Sequence, residues 1–359
     1  MSEAVTTEAA GAAAGAAAGA NEPSAPTMRD VADRAGVGLA TVSRVVNGLG
    51  SVRPVTADRV RTAISELGFQ RNEVARALRP GQHSWTIGLL LGDLTNPFYA
   101  TLAKAAVAVA NAARYAVVLS TVDEDPEVEQ QAIRELLGRR VAGLIIVPDQ
   151  GDYRFLREET GRRPLPVVFV DRPSAGTEAD TVVLDNEGGG RMATAHLLAH
   201  GHRRVAVLVA PSYYTTGRRL RGYRRAMRDA GVGVDERLVI TLREGTPTEA
   251  EAGMRALLAL PDPPTAVFCT TGFLAEGAIR AVGSTSRSVA LVGFDDFPLA
   301  DLLPVPLTVV ATDPERLAET ATELLLARIA GSNSPPARVV LPVRLVERGS
   351  GEIPPPKVP

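Results

Sequence analysis

Cysteine is almost absent from this chain, and a lone Cys269 excludes an internal disulfide. That fits a reducing cytoplasm. Long apolar runs are missing as well. None approaches the roughly 18 residues of a membrane-spanning helix, so no membrane partner is expected. Lysine is nearly as rare, with only Lys104 and Lys357 among 39 basic residues. This skew says more about genome composition than mechanism, although arginine suits phosphate and groove contacts. Catalytic signatures are lacking too: there is no G-x-S-x-G, no H-E-x-x-H and no dinucleotide fingerprint. Glu187-Gly188-Gly189-Gly190-Arg191 lacks a phosphate-loop lysine and reads as a flexible helix start. An enzyme is therefore not expected, nor a cofactor. His196, His200 and His202 have a metal-like spacing but no Cys or acidic partner at ligand spacing, so no metal is expected either. Residues 1–26 are rich in Ala, Gly, Ser, Thr and Glu, without a basic region or large apolar side chains. They read as a disordered tail rather than an export signal.

What is present is concentrated between Thr27 and Gly48. Thr27 and Asp30 form a capping-box pattern ahead of Val31, Ala32 and Ala35, which share one helical face. Gly36 breaks that helix and Val37 tucks under the turn. A second helix starts at Leu39, with Val42, Val45 and Val46 on its buried side and Thr41, Ser43 and Arg44 outside. This is a helix-turn-helix pattern, whose second helix lies in the major groove; the alternative is an ordinary helical hairpin with a solvated face. Leu39 and Ala40 would meet bases by apolar contact, and Arg44 a guanine by two hydrogen bonds. A third helix is predicted from Thr56 as N-cap to Gly68. Residues 27–82 hold nine arginines against five acids, a net of +4, while the whole chain carries −2. A basic end on an acidic body suits phosphate contact by that end alone.

Residues 72–84 read as a short helix and linker, too short to be stable without something docked against it. From Trp85, short apolar strands alternate with amphipathic helices. Strands are predicted at 86–91, 116–120, 143–147, 167–170, 181–184, 205–209, 237–241, 266–270 and 289–294. Helices are predicted at 98–113, 126–137, 154–159, 190–199, 218–230, 249–258 and 273–282. Continuous Val/Ile/Leu strands between helices predict parallel sheets covered on both faces. A break near Asp185 divides them into two doubly wound lobes. A last helix at 314–330 and one strand within 338–346 cross back between them. The first lobe is expected over about 85–184 and 313–330, the second over 185–312 and 337–349, with a tail from 350 to 359. Ligands of such folds bind beyond the carboxyl ends of strands, which selects Phe98 and Tyr99 for stacking on a ring and Asp171 and Asp295 for hydroxyl groups. Phe98 as core, and the two aspartates as turn caps, remain the alternatives.

Asp30-Val31-Ala32, Ala35-Gly36-Val37, the run from Ala40 to Gly48, and Asn72 through Leu78 closely resemble the headpiece of the lactose/galactose-repressor (LacI/GalR) family. The likeness continues through Asn96-Pro97-Phe98, Asp123-Glu124-Asp125-Pro126, Asp171-Arg172-Pro173, Gly201-His202-Arg203-Arg204 and Gly293-Phe294-Asp295-Asp296, covering about 27–349. It implies an all-α helix-turn-helix headpiece at 27–71 and a core of the periplasmic-binding-protein-like type I class. It also implies a cytoplasmic homodimer that binds operator DNA and senses a small molecule, a sugar or derivative. The DNA-facing set would then be Thr27, Leu39, Ala40, Thr41, Ser43, Arg44, Asn47 and Arg53. The hinge would add Asn72, Ala75, Arg76 and Leu78, with Leu78 wedging into the minor groove; the alternative is that Leu78 is a buried linker residue. The resemblance raises Asp171 and Asp295 as sugar contacts. Three departures stand against it. Thr271-Gly272 replaces the usual Asn-Asp, the loop between Ala281 and Val289 is short, and the clamping arginine falls on Gly217, leaving Arg218 or Arg219 as substitutes. Arg218 and Thr271 complete the expected effector set. Gly38 stands where a serine N-cap is usual. With no leucine heptad after Gly349, a coiled-coil tetramer is not expected.

Overall fold

The computed structural model describes residues 26–47, 52–69, 84–122, 125–149, 151–161, 165–210, 214–285 and 287–356. The chain divides into two compact units, residues 1–82 and 83–359.

In the first unit, α1 (Met28–Ala35) opens with the expected capping box: the Asp30 amide donates to Thr27 Oγ1 (3.3 Å) and the Thr27 amide to the Asp30 carboxylate (2.7 Å). Gly36, at φ 62°, closes the helix in a conformation that L side chains resist. α2 spans Leu39–Asn47 and α3 spans Pro54–Leu67. The third helix starts three residues earlier than Thr56 as N-cap predicts. Pro54 takes the first helical position, where its missing amide costs nothing, and Arg53 is the N-cap, without a side-chain bond. Val31, Val42 and Val60 are fully buried, with Ala32, Ala35 and Ala63 filling between them. Arg59 places its guanidinium on the carbonyls of Ala35 and Gly36, where a cation meets the negative end of α1.

The second unit carries two six-stranded sheets. The first has the order β11-β5-β4-β3-β1-β2, from β1 (Thr86–Leu91), β2 (Ala116–Thr121), β3 (Leu144–Ile146), β4 (Val167–Val170), β5 (Asp180–Leu184) and β11 (Arg338–Leu341). The other has the order β12-β10-β9-β8-β6-β7, from β6 (Val205–Val209), β7 (Val239–Thr241), β8 (Ala266–Cys269), β9 (Ala290–Phe294), β10 (Thr308–Ala311) and β12 (Arg344–Val346). All pairings are parallel except β10 with β12. Each lobe thus repeats one order, and each receives a last strand from the C-terminal segment. The helices are α4 (Pro97–Ala112), α5 (Pro126–Gly138), α6 (Phe155–Thr160), α7 (Asn186–Ala199), α8 (Tyr214–Asp229), α9 (Pro247–Leu258), α10 (Gly272–Gly283) and α11 (Pro314–Ile329). Four of them begin with a capping side chain followed by proline: Asn96-Pro97, Asp125-Pro126, Thr246-Pro247 and Asp313-Pro314. That signal places the starts of α4 and α9 earlier than predicted. α8 likewise begins at Tyr214 rather than 218, and 236–238 form a 3-10 turn before the shorter β7.

Four further expectations need correction. β10 was not anticipated; it is a four-residue strand behind a proline-broken loop. The single strand expected within 338–346 is two, because the chain crosses between lobes there: β11 pairs with β5 in the first lobe and β12 with β10 in the second. Residues 337–341 therefore leave the second lobe. The glycine run is not a loose helix start. Asp185 accepts the Gly188 amide (2.8 Å), and α7 and α8 press together so closely that a Cβ on Gly190 would lie 2.1 Å from the Arg219 carbonyl. Finally, described residues 350–356 are no free tail. Glu352 accepts from Thr308 Oγ1 (2.9 Å) and meets His196 Nε2 (2.6 Å), while His202 Nε2 donates to the Ile353 carbonyl (2.8 Å). Two of the three histidines thus fasten the end of the chain to the second lobe.

Candidate functional sites

On α2, successive residues turn by 100°, so Leu39, Ala40, Ser43, Arg44 and Asn47 lie within an arc of about 140°. Val42, Val45 and Val46 occupy the opposite arc and face the headpiece core. Leu39 is 48% exposed and Ala40 and Arg44 are exposed, while Thr41 and Ser43 are half-buried. The Asn47 side chain lies outside the described residues. The Gly38 carbonyl accepts the amides of Thr41 (2.8 Å) and Val42 (3.3 Å), so backbone alone starts the helix. Thr27 is exposed but its hydroxyl donates to Asp30 (2.7 Å). Arg53 is exposed at the start of α3, where helix amides and guanidinium together suit a phosphate. Arg34, Arg59 and Arg61 are held by Glu66, the α1 carbonyls and Asp58, which leaves Arg29, Arg44 and Arg53 without a hydrogen bond or ion pair among the described residues. Asn72, Ala75, Arg76 and Leu78 lie outside the described residues.

The second site is a cavity of about 490 Å³ between the two lobes. It forms where both sheets end: Gly92, Asp149 and Asp171 follow β1, β3 and β4, and Ala210, Thr271 and Asp295 follow β6, β8 and β9. The two lobes present Asp171 and Asp295 in matching ways. Both have a left-handed backbone (φ 68° and 70°), and their amides donate to Val182 (2.9 Å) and Val310 (3.0 Å) in the neighbouring strands. Their carboxylates meet side chains: Tyr99 and Arg172 for Asp171, Arg219 and Thr312 for Asp295. Burial raises the Asp171 carboxyl, against the pull of Arg172 and Arg219. Burial also pushes the Tyr99 phenol up to about 12, so it remains a hydroxyl, accepting from Arg172 at 3.2 Å. Arg219 is almost fully buried. It donates to Asn186 (2.8 Å), the Thr270 carbonyl (2.7 Å) and Asp295 (3.2 Å), and its guanidinium lies 3.5 Å over the Phe294 ring. Among the described residues, five lining carboxylates, Asp93, Asp149, Asp171, Glu244 and Asp295, accompany two guanidiniums, Arg172 and Arg219. This balance repels anions.

Residues 27–72 match the family described as bacterial regulatory proteins, lacI family, and residues 194–351 match the periplasmic binding protein-like domain. The HTH-type transcriptional regulator CelR of Thermobifida fusca is 34% identical over 340 residues, covering 91% of this chain and 98% of that protein. The ribose operon repressor of Escherichia coli K12 is 32% identical over 333 residues, covering 90% and 99%. The chain belongs to the LacI family. Among solved structures, the lac repressor dimer bound to operator and the anti-inducer ONPF superposes with a TM-score of 0.82 at 28% identity, covering 91% of this chain and 99% of that one. A CelR–cellobiose complex gives 0.67 at 32% identity, covering 90% and 99%.

In this LacI-family chain the cavity gathers Phe98, Tyr99, Asp171, Thr271 and Asp295 from the expected set. Phe98 serves twice, since it also packs on the first-lobe core. Thr271 likewise caps α10, accepting the Leu274 amide (3.3 Å). Arg218 is not brought to the cavity; it pairs with Glu187 (3.2 Å) on the α7 side. Its neighbour Arg219 provides the guanidinium that Gly217 had suggested was lost. One residue along a helix is a 100° turn, and the sequence alone did not choose between Arg218 and Arg219. Arg172, Asp149 and Phe273 were missed, although Asp149 satisfies the same strand-end rule as Asp171. Behind it, buried Glu129 on α5 accepts the Asp149 amide (3.2 Å) and the Tyr153 hydroxyl (2.7 Å), which holds that loop against the lobe. No helix among the described residues is long and apolar enough to cross a membrane.

Proposed function

We propose that this LacI-family regulator is a cytoplasmic repressor, without enzymatic activity, that binds a pseudo-palindromic operator as a homodimer. α2 enters the major groove through Leu39, Ala40, Thr41, Ser43, Arg44 and Asn47, with Thr27 and Arg53 on the backbone. Asn72, Ala75 and Arg76 flank Leu78, which opens a central step in the minor groove. The observation that carries this reading is the partition of α2: three valines packed on the headpiece core, and an exposed arc holding an arginine with no hydrogen bond or ion pair among the described residues. The interlobe cavity binds a neutral polyhydroxy effector, a sugar or derivative, whose hydroxyls meet Asp171, Asp295 and Arg172 while Phe98 and Tyr99 cover its ring. An effector that fits one lobe arrangement better shifts the operator affinity by that difference in binding energy. The test is binding of the full-length protein to the palindrome upstream of its own gene and to a scrambled duplex, across a salt series. A preference for the palindrome, with affinity falling steeply as salt rises, supports the reading. Equal binding to both duplexes would refute it.

A further inference from the structure

The cleft is larger than one ligand ring requires. A second cavity, of about 690 Å³, adjoins the first and shares Thr95, Asn96, Phe98, Thr271, Phe273 and Asp295 with it. The first, at about 490 Å³, already has the size of a small-molecule site (roughly 300–1,000 Å³). The two are therefore compartments of one groove, divided by the shared residues. The second compartment has the same chemistry as the first. Phe297 joins Phe98 and Phe273 as aromatic surface, Thr101 and Thr312 bring hydroxyls, and Glu276, Asp296 and Asp301 bring carboxylates. The guanidinium that lines it among the described residues, Arg348, is held in a fork by the Asp296 carboxylate (2.7 and 2.6 Å). Anionic ligands such as sugar phosphates are disfavoured along the whole groove. Between Thr271 and Phe273, which line both compartments, Gly272, the first residue of α10, lines the second and adds no side chain to it. A Cβ there would meet only Phe297 Cδ1, at 3.5 Å, an ordinary contact.

We propose that the effector is an uncharged oligosaccharide of at least two rings, one in each compartment, with the second ring passing over Gly272 against the aromatic surface. The proposal rests on the sugar reading above and deepens it to a size class. Calorimetry on the full-length protein would compare pyranose monosaccharides with their own α- and β-linked di- and trisaccharides. We expect one disaccharide to bind at least ten-fold more tightly than its constituent monosaccharide. Gly272→Phe fills the second compartment from the second lobe, and Thr101→Trp fills it from α4, so two independent variants guard against a folding defect in either. Each should abolish the ten-fold advantage and leave monosaccharide affinity within two-fold of wild type. A monosaccharide that binds as tightly as every longer homologue would overturn the two-compartment proposal and leave the sugar reading intact. So would a folded variant that weakens both ligand lengths equally. If no saccharide of any length binds while the protein still recognises its palindrome, the sugar reading falls and the size assignment falls with it.

Discussion

Replacing Arg219 with methionine keeps much of the side-chain length and removes the charge. The side chain is 5% exposed, and its guanidinium makes three hydrogen bonds, to Asn186, Thr270 and Asp295, besides covering the Phe294 ring at 3.5 Å. Without it the Thr270 carbonyl and the Asn186 amide oxygen lose a charged donor in a buried place. Asp295, 20% exposed, loses its counter-charge but keeps Thr312 Oγ1 at 3.1 Å. Breaking a buried pair from one side costs about 3–5 kcal/mol, most of it from the charge left behind. Partial exposure of Asp295 places the expectation near the lower end, about 3 kcal/mol. At roughly 2–4 °C per kcal/mol for a unit of this size, the main unfolding transition should fall by about 6–12 °C. Adding Asp295→Asn to Arg219→Met removes the stranded carboxylate, so the double variant should recover part of the loss. Thermal unfolding of wild type, both single variants and the double variant gives the coupling directly. A drop below about 2 °C for Arg219→Met, or strictly additive losses, would refute the clamp and return Arg219 to an incidental cleft cation.

Cys269 is buried and its thiol is pushed up to about 12 by desolvation, so iodoacetamide at pH 8 should leave the native protein unlabelled and label it fully once unfolded; mass spectrometry reads both. Gly38→Ser should stabilise the headpiece by a few tenths of a kcal/mol, because its Cβ has open space and the new hydroxyl can accept an α2 amide; denaturant unfolding of wild type and variant checks this. His202 has its pKa lowered by burial, so the native state binds fewer protons than the unfolded one. Its contribution is complete above the unfolded value near 6.5 and is lost as pH falls through the folded value. His202→Gln should therefore flatten the fall in stability with acid below about pH 6.5, read in melts across a pH series on wild type and variant. Leu78→Ala should abolish specific palindrome binding while leaving the melting temperature unchanged; specific affinity equal to wild type would remove the wedge.

Local chemistry made much of this legible. The capping box at Thr27, the glycine stop at Gly36 and the valines at 42, 45 and 46 each act within one or two turns. Their outcome in the headpiece follows from spacing alone. Continuous apolar strands with strand-end aspartates likewise pointed to Asp171 and Asp295 before any contact was known. The errors fall where distant segments decide. A four-residue strand such as β10 has too little pattern to stand out from a proline-broken loop, and it is a strand because β9 and β12 flank it.

What the sequence determined by itself was the two-part plan, the orientation of α2 and the division of the body into two parallel-sheet lobes, because periodicity and capping are short-range. Tertiary structure alone decided that Arg219 and not Arg218 enters the cleft, that 338–346 is shared between two sheets, and that His196 and His202 hold the chain end. It also decided that the cleft continues past Gly272. Each of these depends on segments up to 156 residues apart, such as His196 and Glu352, meeting in space. A helical turn of 100° or a strand's choice of sheet is fixed by the packing of such partners, and no local window of sequence contains them.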